Sequence, residues 1–348
     1  MGRDLGALSG LGLATPLMQA PMAGGFTTPK LVSAVCNAGG LGSLGAAYMQ
    51  PQAIVDCCAD VRRMTGGPFA VNLFLFDMPQ ASPAQIEATS QSLAPYAREL
   101  GIEPPAFSGP AHPDIAEQIA AVLEARPAVV SFTFGAPSSD LVAECRRLGI
   151  LTVGTATTLA EGLALEAVGV DAVAAQGSEA GAHRGTFIGS FEEGMVGVLA
   201  LTSVLSAKLS IPVIAAGGIM NGQAAAGAMR AGAAAVALGT AFLTCPEAGT
   251  PEPHRRAILS QGSDRTTITR AFSGRPARGI VNRYIEELAG ADLAPFPVLN
   301  TMTRGIRGAA AKANRPEFMS LWAGQGAPLA RAMPAGELVA TLKAEIEA

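Results

Sequence analysis

Short apolar runs alternate along the chain with longer segments that carry charged and polar residues. Eight of these runs predict β-strands, because each is short, rich in small and branched apolar residues, and flanked by turn-forming residues. They lie at residues 16–22, 41–47, 69–75, 128–134, 150–156, 171–177, 211–218 and 234–242. The runs are nearly continuous rather than alternating, which indicates strands buried on both faces, as in a parallel sheet.

Segments of helical length separate the runs. The first begins at Thr28-Pro29, where threonine suits the N-cap and proline the first helical position, and it ends at Gly39-Gly40. Further helices are predicted at residues 138–148, 159–168, 194–209 and 223–231. Eight strand–helix units that close on themselves form a TIM barrel, so we predict an α/β fold of the (β/α)8 type, with a doubly wound sheet as the alternative.

Two segments do not continue this repeat. Residues 76–126 are rich in proline and alanine, and residues 246–348 are richer in arginine and proline than the repeat. Helix-like stretches inside them lie at 82–100, 302–314 and 336–346. We therefore predict a barrel made of residues 1–75 and 127–245, and an additional, mostly helical lobe over the barrel mouth, made of the insertion and the C-terminal tail.

A glycine motif near the N-terminus resembles a nucleotide-binding turn but lies in the wrong context. Gly40-x-Gly42-x-x-Gly45 matches the dinucleotide fingerprint, which requires a strand before the glycines and a helix after them. Here a predicted helix precedes the glycines and a predicted strand contains them. We interpret Gly40 as a helix stop, and Gly42 and Gly45 as positions of close packing in a strand.

Composition excludes several classes of protein. Of the 348 residues, 49% are hydrophobic and 41 are glycine, which indicates a large core of tightly packed layers. The net charge is −4, no basic run occurs and aromatic residues make up 5%, so nucleic acid is not an expected partner. The cysteine count is odd and no C-x-x-C pair occurs, so we expect free thiols at Cys36, Cys57, Cys58, Cys145 and Cys245.

The apolar stretches do not suggest a membrane or secreted protein. Residues 31–55 and 211–229 are interrupted by glycine and asparagine, so neither predicts a membrane span. The first sixteen residues lack an apolar signal core and include the early Asp4. We expect a cytoplasmic protein that does not bind membranes.

Polar and glycine residues after the predicted strands are the candidates for chemistry, because TIM-barrel active sites lie at the C-terminal strand ends. Small residues at 20–25 follow the first strand and would let a flat ligand approach the backbone. Asn72 is a polar residue inside the third strand. It is either a satisfied core amide or a partner for the edge of a heterocycle, since an amide both donates and accepts.

The sixth strand ends in the richest segment, QGSEAGAHRG, which brings together Gln176, Glu179, His183 and Arg184. A histidine exchanges protons near neutral pH, so His183 is predicted to be catalytic, with an exposed loop histidine as the alternative. The other two histidines, at 112 and 254, are flanked by proline and charged residues. We expect them to be solvent-exposed.

Glycine pairs end the last two predicted strands, at Gly217-Gly218 and Gly239-Thr240. These are the loops where TIM barrels commonly bind phosphate, and bare backbone N–H groups can reach its oxygens. The helix that begins at Asn221-Gly222 would add a favourable partial charge. Histidines and carboxylates do not cluster at metal-ligand spacing, and no G-x-S-x-G elbow occurs, so neither a metal site nor a serine hydrolase is expected.

Four segments resemble the nitronate monooxygenase family, formerly called 2-nitropropane dioxygenases. They are QAPMAGGFTTPKLVSAVCNAGGLGSLGAA, QGSEAGAHRGTF, IPVIAAGGIMNGQAAAGAMRAGAAAVALGTAFL and EFMSLWAGQG, and together they span nearly the whole chain. Flavin-dependent enoyl-ACP reductases and NADH:quinone reductases share much of the barrel motifs. The tail SLWAGQG is more similar to the nitronate monooxygenases.

The resemblance implies a noncovalent FMN, O₂ as co-substrate, and oxidation of alkyl nitronates, or of nitroalkanes, to a carbonyl compound and nitrite. His183 matches the histidine that is assigned as the base. Thr133 and Gly24 are expected in the substrate pocket, and the protein is expected to be a monomer or homodimer. The FMN-binding residues implied by position are Pro21, Met22, Ala23, Asn72, Gln176, Gly181, Gly217, Gly218, Leu238, Gly239 and Thr240.

Three positions depart from the family pattern. Ala182 stands where a second glycine is common, Thr133 where many relatives have histidine, and Phe296 where tyrosine is expected. These changes predict a less polar substrate pocket. The alternatives are an NAD(P)H-dependent flavin reductase acting on a quinone or enoyl thioester, and a barrel without flavin that isomerises phosphosugars or only binds phosphate.

Overall fold

The structure is a computed structural model that describes residues 6–79 and 81–348. The strands in this part of the chain are β1 (Leu17–Gln19), β2 (Gly42–Gly45), β3 (Phe69–Phe74), β4 (Val129–Thr133), β5 (Leu151–Ala156), β6 (Ala172–Gln176), β7 (Ala182–His183), β8 (Val213–Ala216), β9 (Ala235–Leu238), β10 (Thr266–Thr269) and β11 (Ala277–Ile280). Asp4, on which the expectation about the N-terminal segment partly depends, lies outside the described residues.

The helices in the described residues are α1 (Pro29–Asn37), α2 (Pro51–Met64), α3 (Pro83–Glu99), α4 (Ile115–Ala125), α5 (Ser139–Arg147), α6 (Leu159–Ala167), α7 (Val198–Lys208), α8 (Gly222–Arg230), α9 (Thr240–Leu243), α10 (Glu252–Leu259), α11 (Arg283–Glu287), α12 (Val298–Met302), α13 (Arg304–Lys312) and α14 (Ala335–Glu347). Short 3-10 helices lie at Gly6–Leu11, Gln261–Asp264, Pro316–Phe318 and Ala327–Leu329. None of the described helices is long and apolar enough to cross a membrane.

A closed barrel forms the centre of the molecule. In the described part of the chain, eight parallel strands follow the order β1-β9-β8-β6-β5-β4-β3-β2. A parallel bridge between Met18 and Leu41 joins the two ends of this order, β1 and β2. The predicted TIM barrel is therefore confirmed, and the doubly wound alternative is wrong.

Side chains from the strands fill the barrel interior. Met18, Ala70, Val153 and Ile214, which come from β1, β3, β5 and β8, belong to one buried cluster with Leu8 of the first 3-10 helix. Such a packed interior is typical of TIM barrels and leaves no room for a ligand inside the barrel. Ligands must therefore bind at the C-terminal rim.

Local signals explain most element boundaries. Thr28 caps α1 as predicted, because its side chain accepts a hydrogen bond from the N–H of Leu31. The interpretation of the glycine motif also agrees with the structure, since a Cβ at Gly42 would collide with the α1 backbone at Val32. A Cβ at Gly45 would likewise collide with the backbone of Ala23, so these glycines allow close packing.

One predicted boundary is wrong. The last predicted strand extends to residue 242, but β9 ends at Leu238 and α9 begins at Thr240. All four residues of α9 are buried, so their apolar run could not be distinguished from a strand. The predicted helix at 302–314 corresponds to α13, and the short helix α12 before it was not predicted.

The insertion and the tail share a second core beside the barrel. Leu93 and Tyr96 of α3 pack in one cluster with Phe272, Tyr284 and Leu299 of the C-terminal segment. A small antiparallel sheet, β10-β11-β7, was not predicted. It joins the lobe to the barrel, because β7 belongs to the loop after β6.

The division of the chain into barrel and lobe stays a prediction. Two helices that it assigns to the lobe pack against the barrel instead. Ala121 and Val122 of α4 pack in the barrel cluster of Val61 and Leu73. Similarly, α14 buries residues against α1 and α8, in the cluster that contains Leu338. Both helices therefore cover the outside of the barrel.

The cysteines are all free, and four are buried while Cys57 is partly buried, which confirms the expected free thiols.

Candidate active site

The loop after β6 folds back so that β7 pairs with the lobe strand β11. His183 lies opposite Ala277, and Ala182 lies opposite Arg278. Ala182 has a φ of 60°, a left-handed conformation that costs a non-glycine residue about 1–2 kcal/mol. The alanine thus adopts a conformation that suits glycine, and the strand pairing holds it there.

Most polar groups of this loop maintain its shape. Gln176 donates from Nε2 to His183 O and accepts at Oε1 from the N–H of Gly185. The Arg184 side chain, which is 1% exposed, donates to the carbonyl oxygens of Gly177, Gln176 and Gly194. The Glu179 carboxylate accepts from the first N–H of α7, at Val198. Of these four residues, His183 is the one whose side chain packs among aromatic rings.

Aromatic rings surround the imidazole of His183. Its ring centre lies 5.8 Å from that of Phe134, 5.5 Å from that of Phe296 and 5.9 Å from that of Trp322. Burial, together with the positive charges of Arg275 and Arg307, lowers the pKa of His183 to about 3. The imidazole is therefore neutral at neutral pH and has a lone pair that accepts a proton.

The other two histidines are buried, so the expectation that they are exposed is wrong. His112 is 4% exposed and packs against the ring of Phe76, and burial lowers its pKa. His254 is fully buried, lies 3.0 Å through Nε2 from Trp322 O, and has a pKa lowered to about 4 by burial. The flanking prolines and charges indicated solvent, but packing within the lobe covers both side chains.

The polar residues of β3 and β4 form a hydrogen-bonded cluster. Asn72 Nδ2 donates to Ser131 Oγ at 3.0 Å and to Thr133 Oγ1 at 3.2 Å. Thr133 Oγ1 also lies 3.4 Å from Thr155 Oγ1. The donor side of Asn72 thus has core partners, as in the core-amide interpretation. Its Oδ1 makes no hydrogen bond to another described residue and is the side that a ligand could use.

Two glycine turns lie side by side on the rim, because β8 and β9 are neighbours that pair Ala216 with Ala237. Gly217 and Gly218 have φ of 129° and 68°, which a side chain would disfavour. The N–H groups of Gly217, Gly218, Gly239 and Thr240 donate no hydrogen bond to any described residue. A Cβ at Gly239 would meet only Ala20 Cβ at 3.8 Å and Met22 Sδ at 4.0 Å, so the space above this turn is open.

The N-terminus of α8 already has partners within the protein. Its Gly222 N–H donates to the carboxylate of Glu345 in α14 at 2.7 Å, and Asn221 caps the N–H of Ala224. Glu345 also forms an ion pair with Arg331 at 2.7 Å. A carboxylate of the protein therefore already accepts from this helix end, and the predicted contribution of its partial charge to a phosphate site stays a prediction.

The tail segment AGQG packs directly on the rim. The Gly324 N–H donates to Thr240 Oγ1 at 2.9 Å, and the Gln325 N–H donates to Glu179 O at 2.9 Å. A Cβ at Gly181 would lie 2.6 Å from the backbone of Ala323, so this predicted cofactor residue packs against the tail. Sequence reasoning identified the tail only as a resemblance. Its two closely spaced glycines were the signal that it approaches another backbone.

The first strand leads into a turn beside the same rim. Thr27 Oγ1 donates to Met22 O and accepts from the N–H of Gly45, which fixes the turn that contains Pro21 and Gly24. Ala23 packs with the aromatic rings near His183, and Gly24 has a φ of 90°. The Leu238 side chain is 1% exposed and packs in the core, so only its backbone faces the rim.

A cavity of about 290 Å³ opens beside the aromatic rings that surround His183. Phe296 and Arg275 line it, and the Arg275 guanidinium lies 3.8 Å above the Phe134 ring. Arg275 also donates to Thr186 O, and burial lowers its pKa to about 10, so it stays charged at neutral pH. Sequence reasoning missed Arg275. Its place in the segment SGRPARG, which has two arginines in an apolar context, was the available signal.

Comparison with known proteins agrees with this geometry. The family model described as nitronate monooxygenase matches residues 6–345. The chain belongs to the nitronate monooxygenase family. It is 42% identical over 345 residues to the nitronate monooxygenase of Paraburkholderia phytofirmans, which covers 97% of this chain and 93% of that protein.

Solved structures extend this family relationship. A nitroalkane oxidase from Streptomyces ansochromogenes has a TM-score of 0.91 and 44% identity, with 98% of both chains covered. FabK from Thermotoga maritima has a TM-score of 0.77 and 26% identity, over 98% of this chain and 95% of that one.

Proposed function

We propose that this protein binds FMN and uses O₂ to oxidise alkyl nitronates to a carbonyl compound and nitrite. The unpaired N–H groups of Gly217, Gly218, Gly239 and Thr240 support the cofactor most directly. Converging backbone N–H groups in an open turn suit a phosphate, and the family membership makes FMN the matching group. Met22 lies beside the Gly239 turn, and Ala23 packs with the aromatic rings near His183, so both lie close to the proposed site.

FMN in this site would supply the redox step, taking electrons from the nitronate and passing them to O₂. The protein residues bind and orient the substrate and exclude water. The positive charges of Arg275 and Arg307 act on His183 and favour an anionic nitronate at the same place. For a neutral nitroalkane, the neutral imidazole of His183 takes the α-proton first.

The predicted contacts of Gln176 and Gly181 with FMN have less structural support. Gln176 uses one Nε2 proton and one lone pair of Oε1 to hold the loop, so one proton and one lone pair remain for a ligand. Gly181 packs against the tail. We propose that these residues shape the site through the loop rather than by gripping the cofactor.

Anaerobic mixing tests the proposal. The purified protein should be yellow, and its visible flavin absorbance should bleach when ethylnitronate or propionate 3-nitronate is added without O₂. Readmitting O₂ should restore the colour and release nitrite. NADH and NADPH serve as controls in parallel samples.

The same experiment separates the alternatives. Bleaching by NADH or NADPH but not by a nitronate would reject the proposal in favour of a flavin reductase, which the barrel motifs shared with flavin-dependent reductases keep as the second candidate. A colourless protein that takes up no FMN would instead favour a barrel without flavin.

A further inference from the structure

The hydrogen bond between His183 and Ser273 indicates which nitrogen of the imidazole is free to take a substrate proton. We propose that Ser273 is a positioning residue that fixes the proton of neutral His183 on Nε2, so that Nδ1 is the atom that takes the substrate proton. This inference rests on the proposed function for the role of His183 as a base. Its structural part, the tautomer, does not depend on activity.

Ser273 is 1% exposed, and its hydroxyl has three polar neighbours. Ser273 Oγ lies 2.8 Å from His183 Nε2, 3.1 Å from Arg275 O and 3.3 Å from Arg275 N. A serine hydroxyl has one proton and two lone pairs. If the proton points to Arg275 O, the lone pairs accept from the Arg275 N–H and from an Nε2–H of His183, and every group is satisfied.

The opposite arrangement leaves a part-buried carbonyl without a donor from the protein. If the hydroxyl donated to His183 Nε2, Arg275 O would lose its donor, since no other described group donates a hydrogen bond to it. A carbonyl that loses its protein donor is disfavoured to the extent that water does not replace that donor. The hydrogen-bond count therefore favours the tautomer with the proton on Nε2.

The other ring nitrogen is left for the substrate. His183 Nδ1 makes no hydrogen bond to a described residue. The unpartnered ring nitrogens of His112 and His254 are completely enclosed, whereas Nδ1 of His183 is not among the enclosed polar atoms of the described residues. Nδ1 thus keeps some accessible surface and no protein partner, which leaves it free for a substrate.

The proton transfer balances simply. The α-C–H bond of a neutral nitroalkane breaks, the proton forms a new N–H bond at Nδ1, and the electron pair stays on the substrate as the nitronate. The imidazolium that results keeps its Nε2–H on Ser273 Oγ. Because this hydrogen bond is the same before and after the transfer, Ser273 and Arg275 need not rearrange. A third group that orients a catalytic histidine in this way is familiar from catalytic triads.

Nitrogen NMR of ¹⁵N-histidine-labelled protein tests the tautomer directly. The chain has three histidines, and the signals of His183 are those absent from a His183→Asn variant. We expect a protonated, pyrrole-type Nε2 and an unprotonated, pyridine-type Nδ1 in the wild-type holoprotein. In Ser273→Ala the two signals should move toward the positions of a mixture of tautomers. They should not move in the control Ser206→Ala, because the hydroxyl of Ser206 donates to Gly232 O on the barrel surface. A wild-type protein with its proton on Nδ1 would overturn the inference, even if Ser273→Ala does not fold.

Kinetics provide the second readout. Ser273→Ala should retain its flavin and lower kcat for nitroethane about 10- to 100-fold, since general-base catalysis contributes roughly 10²–10⁴-fold. The kcat for ethylnitronate, which has already lost this proton, should change by less than about threefold. Equal losses on both substrates would contradict the role of Ser273. Absence of any nitronate oxidation in the wild-type protein would instead reject the proposed function, while the NMR result would still decide the tautomer.

Discussion

A side chain at residue 239 tests the proposed phosphate site without disturbing the fold. Gly239 has φ −102° and ψ −72°, which other residues adopt without left-handed strain. An added Cβ would make only ordinary contacts, at 3.8 Å and 4.0 Å. Gly239→Ala should therefore leave the unfolding free energy of the apoprotein unchanged or raise it by about 0.4–1 kcal/mol, because the unfolded chain loses freedom.

The same substitution should weaken FMN binding. The new methyl group points into the open space above the turn and separates the N–H groups of Gly239 and Thr240 from a bound phosphate. Loss of one hydrogen bond to a charged group costs about 1.5–3 kcal/mol. That corresponds to about a 10- to 100-fold increase in the Kd of FMN. Gly239→Val, with two further methyl groups, should not retain FMN through purification.

Fluorescence titration of the apoproteins with FMN measures the Kd, and urea denaturation of the same samples measures stability. Gly227→Ala is the matched control, because Gly227 lies in α8 with no atom within 4 Å of its added Cβ. It should be stabilised by up to about 1 kcal/mol and bind FMN normally. An unchanged Kd in Gly239→Val would refute the placement of the phosphate.

Three further predictions follow from the site. His183→Asn should keep its FMN, lose nitroalkane turnover by about 10²–10⁴-fold and lose much less nitronate turnover. Steady-state assays on both substrates measure these changes, and equal losses would exclude proton abstraction by His183. Because the folded-state pKa values of His183 and His254 are lowered to about 3 and about 4, the unfolded chain binds more protons below pH 6.5. Urea denaturation at pH 7 and pH 5 should therefore show a loss of about 1–2 kcal/mol for each of these histidines, and the loss should shrink in His183→Asn. Glu345→Ala removes the carboxylate that accepts from Gly222 and pairs with Arg331, so it should lower the free energy of unfolding by about 1–3 kcal/mol, whereas the exposed Glu347→Ala should not.

The barrel could be predicted because its signals are local. Each apolar run and each helix cap, such as Thr28, can be recognised from a few neighbouring residues. The two glycine turns were found for the same reason, since they end runs already identified as strands. The failure at α9 has the same origin: four buried residues look alike in a strand and in a short helix.

The surroundings of His183 could not be predicted in this way. Ser273 is 90 residues from His183 in sequence, and only the pairing of β7 with β11 brings them together. The burial of His254 likewise depends on Trp322, 68 residues later. The sequence pointed to His183 as a candidate base, but the groups that contact its imidazole come from a segment that does not continue the strand–helix repeat.

The pairing of β7 with β11 builds the site from two segments that lie far apart in the sequence. During synthesis the eight barrel strands leave the ribosome well before Ser273, Arg275 and the AGQG turn. A nascent chain can thus complete its barrel while the imidazole still lacks the partners that orient it. The contacts that orient His183 therefore form only once β11 has been made and has paired with β7.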